Sequence, residues 1–326
     1  MKTVEQEKYL GYILSSDGRN VKNISSRKNR AAGSVTQIMS ILEDICFGNY
    51  YFEVAIILRN TLLISTLLTN AEAWYNLTSS DLKELEAVDE MLLRRILECP
   101  VSTPREMLYL ELGVIPIRYI IIKRRLNFLQ YILKEDSNSL IYTFLKAQLE
   151  NPTANDWGET VNRDLNEIDM KLEISEIEAM PKATFTAKVK EMVDKVALRN
   201  LNKEKQKHSK VSHIHHSKIE MEGYLKPNQS AISVQEANFL FTLRTRMLDI
   251  KGNYKGKYND VICPCCKLEE DYQQHLLSCN YLNTDGAVVG SLPEYSDLFD
   301  KSVTKQVNLA RLLKQLFQKR VKMTTK

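Results

Sequence analysis

Residues 103–116 read Thr-Pro-Arg-Glu-Met-Leu-Tyr-Leu-Glu-Leu-Gly-Val-Ile-Pro, and this stretch decides the fold class. Thr103 is a capping residue, Pro104 fits the first helical position, and Glu106 completes a capping box. Gly113 closes the helix and Pro116 opens the next one, which runs through Ile120-Ile121-Ile122, Leu126, Phe128 and Leu129 to Leu133. A helical bundle over residues 24–150 is the economical architecture.

The same helical spacing extends upstream. Thr78 caps a segment reaching Leu97, with Leu82, Leu85, Val88, Leu92, Leu93 and Ile96 on one face. Before it, an apolar helix is expected over Phe52 to Leu68, too polar at Arg59 and Asn60 to be a membrane span. A further helix covers Ile24 to Leu42, with Arg27, Lys28 and Arg30 crowded into its first half. Cations there oppose the helix dipole, so something other than helix stability must favour them. At the front, Tyr9 to Leu14 has strand composition and Ser16-Asp17-Gly18 reads as a turn.

Downstream, Asn151-Pro152 ends the bundle. Trp157 to Ile177 is acidic and weakly periodic, and a basic helix follows from Pro181 to Lys205. Its end, Lys203 to Lys210, has the composition of a linker. Ser233 and Glu236 form a second capping box opening a helix over Val234 to Leu248, and Val303 to Val321 reads as an amphipathic basic helix. The expected organisation is a mainly α chain. A short N-terminal β-hairpin (1–22) precedes a helical bundle (23–150) and an acidic-then-basic connector (151–222). A basic helix with a small metal knuckle (223–285) and a C-terminal helix (286–326) complete it.

Composition agrees with this and excludes much else. Only 11 glycines and 8 prolines occur in 326 residues, too few for the turns of a sandwich or barrel. No apolar run approaches the ~18 residues of a membrane span, and the first residues carry no secretory pattern. An intracellular protein, nuclear or cytoplasmic, is expected. The formal charge of +4 is unevenly spread. Residues 1–199 hold 25 Lys+Arg against 28 Asp+Glu, while residues 200–326 hold 20 against 13 and all five histidines. A basic C-terminal region of this kind points to a polyanionic partner.

That region also carries the chemistry. Four of the six cysteines fall in 263–279, unlike a disulfide framework spread over a long chain. Cys263 and Cys266 are separated by two residues, and His275 and Cys279 stand four apart, one helical turn. Three thiolates and an imidazole make a closed tetrahedral set suited to structural zinc, with no position left for a reacting water. Cys265 is a spare thiol, and the spacing leaves open whether it replaces Cys263 or Cys266. A reduced, metal-free cysteine cluster is the competing reading. Arg244, Arg246, Lys251, Tyr254, Lys255, Lys257 and Tyr258 lead into the motif. Cations that neutralise phosphates beside rings that stack on bases suit nucleic acid, whereas a solvated charged face is the plainer alternative. His208, His213, His215 and His216 lack ligand spacing and are expected in a mobile basic segment. Trp74, Cys46 and Cys99 read as core residues. The chain has no glycine-rich phosphate loop, no nucleophile elbow and no adjacent Asp-Asp pair.

Taken in order, these segments resemble a known family. Lys8-Tyr9-Leu10-Gly11-Tyr12, Glu72-Ala73-Trp74, the LYLELG of residues 108–113 with Pro116, the FLFTLRTR of residues 239–246 and the Cys-Cys-His-Cys knuckle are similar to the distal part of LINE-type non-LTR retrotransposon reverse transcriptases. The resemblance spans roughly residues 8–285. It implies a primer-grip hairpin at Tyr9 and Gly11, and a thumb over 24–150 whose Arg27, Lys28 and Arg30 meet duplex phosphates. It also implies a knuckle that binds template RNA or target DNA. The catalytic aspartates of the family, which hold two metal ions, have no counterpart here, so no polymerase or nuclease activity is expected of this chain. A helical protein-interaction module, and one segment of a longer RNA-directed DNA polymerase, are the alternatives.

Overall fold

A computed structural model describes residues 5–9, 12–44, 48–151, 153, 156–227, 232–254, 256–283 and 294–324. The chain is mainly helical, with one two-stranded antiparallel sheet at its N-terminal end. Strands β1 (Gln6–Tyr9) and β2 (Tyr12–Ser15) pair with Tyr9 opposite Tyr12. Residues 10–11 between the strands lie outside the described residues, and the turn expected at Ser16-Asp17-Gly18 follows β2 and does not join the two strands. Gly18, at φ 67°, instead turns the chain from β2 into the first helix.

Helix α1 (Val21–Asp44) buries Ile24, Ala31, Val35, Ile38 and Leu42, a stripe at three- and four-residue steps that packs on α4 (Ser79–Ile96). The apolar rod expected over 52–68 is α2 (Tyr51–Leu58), a π-helical turn Arg59–Leu63, and α3 (Ile64–Leu67). The wide turn begins at Arg59, the one basic residue of the run. Arg59 points inward, donating from Nε and Nη2 to the two carboxylate oxygens of Asp89 at 2.6 and 2.7 Å and to the Ile115 carbonyl at 3.3 Å. A buried guanidinium is tolerable only with such pairing. Trp74 is 1% exposed, and its carbonyl accepts from Arg125 at 3.1 and 2.8 Å. Thr78 caps α4 as expected, its Oγ1 accepting from the Asp81 N–H at 3.1 Å while the Asp81 carboxylate accepts from the Thr78 N–H at 2.9 Å.

The next helix, α5 (Arg105–Leu112), starts one residue late. Pro104, not Thr103, is its N-cap, no side chain caps it, and the buried Thr103 hydroxyl meets the Cys99 thiol instead. Its other end is as read: Gly113 lies in the left-handed region at φ 66°, and the Val114 N–H reaches back to the Tyr109 carbonyl at 3.0 Å. Gly113 is required for a second reason. Leu112 bridges Met221, so the backbone of 220–221 fills the space where a Cβ would stand. Gly113→Ala is expected to cost at least about 2 kcal/mol in a urea unfolding midpoint, combining left-handed strain with a backbone clash. An unchanged midpoint would remove the close approach from the account.

Helix α6 (Ile117–Leu133) is the divide between two cores. On one side it meets α7 (Leu140–Glu150), α8 (Trp157–Glu167), α9 (Ile174–Ala179) and α10 (Lys182–Lys205), whose Leu145, Val161, Ile177, Phe185, Val189 and Val193 join Leu126 and Leu129. On the other side a larger core unites α1 to α5 with residues 201–316, including α11 (Val234–Arg244) and α13 (Val303–Thr324).

The stretch expected as a connector is accordingly folded throughout its described residues. α8 and α9 bring too few apolar residues to show a clean period, yet Val161, Leu165 and Ile177 are buried in the core that α6 borders. The linker expected over 203–210 is corrected in the same way. α10 runs to Lys205, whose ammonium is buried and hydrogen-bonded to the Ile214 carbonyl. His216, expected to be mobile, is 4% exposed. α11 stops at Arg244, four residues before the expected Leu248, while α13 matches its expected start. No helix among the described residues is long and apolar enough to cross a membrane.

Candidate metal centre

The metal motif is built by a pinched loop. Cys263 N–H donates to the Glu269 carbonyl at 2.8 Å, Asp271 N–H donates to Val261 at 2.7 Å, and Ile262 bridges Glu270. The tip turns through Lys267 at φ 57°, and the Leu268 N–H points at the Cys266 sulfur from 3.5 Å. His275 opens the single turn α12 (His275–Ser278), and the Cys279 N–H bonds the His275 carbonyl at 2.8 Å, stacking these two side chains one turn apart. The result is that Cys263, Cys266, His275 and Cys279 are all buried, with their donor atoms within 4.8 Å of one another. Four donors at about 2.0–2.3 Å from one ion stand a little under 4 Å apart, so small inward shifts suffice to close on a metal. The cluster can hold a metal ion.

Electrostatics favour that use. His275 Nε2 lies 3.3 Å from the Cys266 sulfur, so this nitrogen faces the cluster. Nδ1 stands 3.0 Å from a Glu269 carboxylate oxygen and 3.3 Å from the Ser278 hydroxyl. A carboxylate behind the imidazole fixes its tautomer and raises the basicity of the ligating nitrogen. Burial pushes the Cys266 thiol up, but N–H donation from Leu268 and Glu269 and the His275 contact outweigh it, bringing the thiol down to about 6. Burial pushes Cys263 the other way, to about 11. Without a cation, burying three sulfurs this close together leaves at least one thiol strongly held in its neutral form.

Cys265 falls outside the set. It is half-buried, its thiol raised first by burial and then by Cys263, with Arg320 nearby pulling the other way. The register left open by the sequence is thereby assigned to Cys263 and Cys266. Cys265→Ser is expected to leave metal stoichiometry by elemental analysis at the wild-type value. Loss of bound metal in that variant would return Cys265 to the ligand set.

The loop is clasped by its surroundings. Asp271 is 0% exposed and accepts from the Lys251 N–H at 3.0 Å and from Arg320 Nη2 of α13 at 2.6 Å. Gln273 Nε2 donates to the Leu243 carbonyl at 3.0 Å and the Tyr295 hydroxyl at 2.8 Å. α13 is tied to α11 by Arg311, whose Nε donates to Glu236 at 2.8 Å, the same carboxylate that completes the Ser233 capping box.

The residues expected to meet nucleic acid are scattered. Gly11 and Lys255 lie outside the described residues, and Tyr9 is described only through its backbone in β1. Arg27 is corrected: it is 3% exposed on the inner face of α1, where burial lowers its pKa, and it offers no surface to a phosphate. Lys28 stands 3.7 Å from Glu84, and Arg30 is exposed. Arg244 is corrected more decisively. At 4% exposure it donates from Nε and Nη2 to Glu111 at 3.1 and 2.9 Å and from Nη1 to the Leu298 carbonyl at 2.7 Å.

The remaining cations and rings cluster near the metal loop. Lys251 pairs with Asp260 at 2.7 Å, Tyr254 donates to the Met247 carbonyl at 3.0 Å, and Lys257 lies over the Tyr258 ring. Tyr258 reaches Asp249 at 3.4 Å. Arg246 is half-buried and borders a cleft against the loop.

Sequence reasoning missed the partner of Arg244. Glu111 is fully buried and also accepts from the Tyr224 hydroxyl at 2.7 Å, with His216 Nε2 3.5 Å away. Despite burial, which pushes its carboxyl up, Arg244 and His216 hold it down at about 2. The signal was present: Glu111 sits inside Leu108-Tyr-Leu-Glu-Leu112, and an acid amid an apolar run needs a buried cation somewhere. Comparison with protein-family models, with curated proteins and with solved structures finds no match for this chain.

Proposed function

We propose that the chain is a nucleic-acid-binding protein whose Cys-Cys-His-Cys loop holds a structural zinc ion and presents the surrounding basic surface to RNA or DNA. The observation that carries this reading is the buried, closed donor set of Cys263, Cys266, His275 and Cys279, backed by a carboxylate on His275 and flanked by a region rich in Lys and Arg. Three sulfurs and one nitrogen suit zinc over the harder cations. When bound, zinc supplies cross-linking of the loop and no reactivity, because the protein ligands leave it no open position. The chain's own residues do the binding: Lys and Arg neutralise phosphates, and tyrosine rings stack on bases.

Within that reading, the chain is a distal segment of a LINE-type reverse transcriptase, with a thumb-like bundle beside the knuckle and no polymerase chemistry of its own. A second reading, a protein-interaction module, draws on α7, where Leu140 is 74% and Phe144 62% exposed. The deciding experiment is a fluorescence-anisotropy titration of a labelled primer–template with the zinc-loaded chain at two salt concentrations, with and without chelator. Binding that weakens with salt and with chelation supports the nucleic-acid reading. Absence of binding at low salt with zinc loaded rejects it and leaves the interaction module.

A further inference from the structure

A cleft of about 1090 Å3 lies between the 208–210 turn, the end of α11 and the metal loop, lined by Lys210, Arg246, Tyr272, Gln274 and His275 among others. Its two cations among the described residues are unlike their neighbours. Arg244, Lys251 and Arg320 each pair with a carboxylate. Among the described residues, Lys210 has none; its ammonium sits 4.4 Å above the Tyr254 ring, half-buried. Arg246 has none either; the Tyr295 hydroxyl meets its side chain, while its Nε is buried without a hydrogen-bond partner among the described residues.

Arg246 also stands in an unfavourable place. The Met247 N–H bonds the Thr242 carbonyl at 2.9 Å and the Arg246 N–H bonds Leu243 at 3.2 Å, the closing pattern of α11, with Arg246 at φ 55°. Glycine or asparagine ordinarily fills that position, and another residue there costs about 1–2 kcal/mol. The fold thus carries strain to hold a guanidinium that no carboxylate among the described residues uses. Residues that break a local rule without a structural return mark functional sites.

The cleft is divided in sign. Lys210 and Arg246 contribute positive charge, while Glu269, which is engaged with His275, and Glu270 also line it. One phosphate is attracted to the cationic residues, and a second beside the carboxylates is repelled. Its volume is near the upper end of small-ligand pockets, roughly 300–1,000 Å3, which suits a nucleotide or two and not a double helix.

Resting on the nucleic-acid reading above, we propose that this cleft takes an unpaired stretch of RNA or DNA, one phosphate held by Lys210 and Arg246 and a base lying by Tyr272 and Gln274. The test uses the zinc-loaded full chain, a labelled 12-nucleotide single strand and the same sequence as duplex. The wild type is expected to bind the single strand at least about tenfold tighter than the duplex. Arg246→Gly is expected to lose about tenfold and to lower the salt slope by about 1. Because glycine relieves the strain, its melting temperature should match or exceed wild type, which separates lost contact from lost fold. Lys210→Gln, on a half-exposed side chain, is expected to lose affinity likewise. Wild-type affinity in both variants, or equal binding of duplex, overturns the cleft while leaving nucleic-acid binding intact. No binding of either strand form by the wild type overturns both.

Discussion

Stripping the metal is expected to unfold far more than the loop that holds it. Cys263, Cys266 and Cys279 belong to the same core as Trp74, Leu92 and Leu110, and α13 reaches that core partly through the Arg320–Asp271 pair beside the loop. Residues 261–283 have few large apolar side chains of their own, so bonds to the proposed zinc would supply the ordering energy, on the order of 10 kcal/mol for a structural site. Chelation, or Cys279→Ser, should therefore release α12 and α13 together and expose Leu309, Leu313 and Leu316 to solvent. Hydrogen exchange would show protection lost over both 261–283 and 303–324, with a fall in melting temperature of ten degrees or more by order of magnitude. Loss confined to 261–283 would mean that α13 is held by the helical core alone.

The second large effect belongs to the buried ion pair. Glu111 and Arg244 are 0% and 4% exposed, and neither has water to fall back on. Arg244→Met should cost about 3–5 kcal/mol in denaturant unfolding, since it leaves Glu111 with only Tyr224 and the His216–Lys205 pair. The double variant Glu111→Leu with Arg244→Met should recover much of that, because burying no charge is cheaper than burying one alone.

The pH dependence follows with a definite sign. The folded carboxyl titrates at about 2 against an ordinary 4.5, so its contribution is complete above pH 4.5 and is lost as pH falls toward 2. The shift corresponds to roughly 3 kcal/mol. In Glu111→Gln that acid-side slope should flatten, and an unchanged slope would assign it to other carboxylates.

Both effects involve residues that the sequence treats unequally. The helices were legible because their signals are local: Thr78 with Asp81, Ser233 with Glu236, Gly113 at a left-handed turn. The clustering of Cys263, Cys266, His275 and Cys279 was legible for the same reason, since spacing alone puts paired donors within one turn. What could not be read was long-range. Arg59, Arg125, Arg244 and Arg320 find Asp89, Asp164, Glu111 and Asp271 at separations of 30 to 133 residues. A single sequence shows which charges exist but not which are buried opposite one another. That is why Arg244 passed for a phosphate contact and Lys205 for a linker residue. The connector misled for a related cause: α8 and α9 each bring only two or three apolar residues to the core, too few to fix a period.

The proposed zinc centre is open to direct measurement by zinc-edge X-ray absorption on the purified full chain. One zinc per chain is expected, with three sulfurs near about 2.3 Å and one nitrogen near about 2.0–2.1 Å, and no oxygen ligand. A chain that purifies folded without stoichiometric metal, or a shell dominated by oxygen, would contradict it.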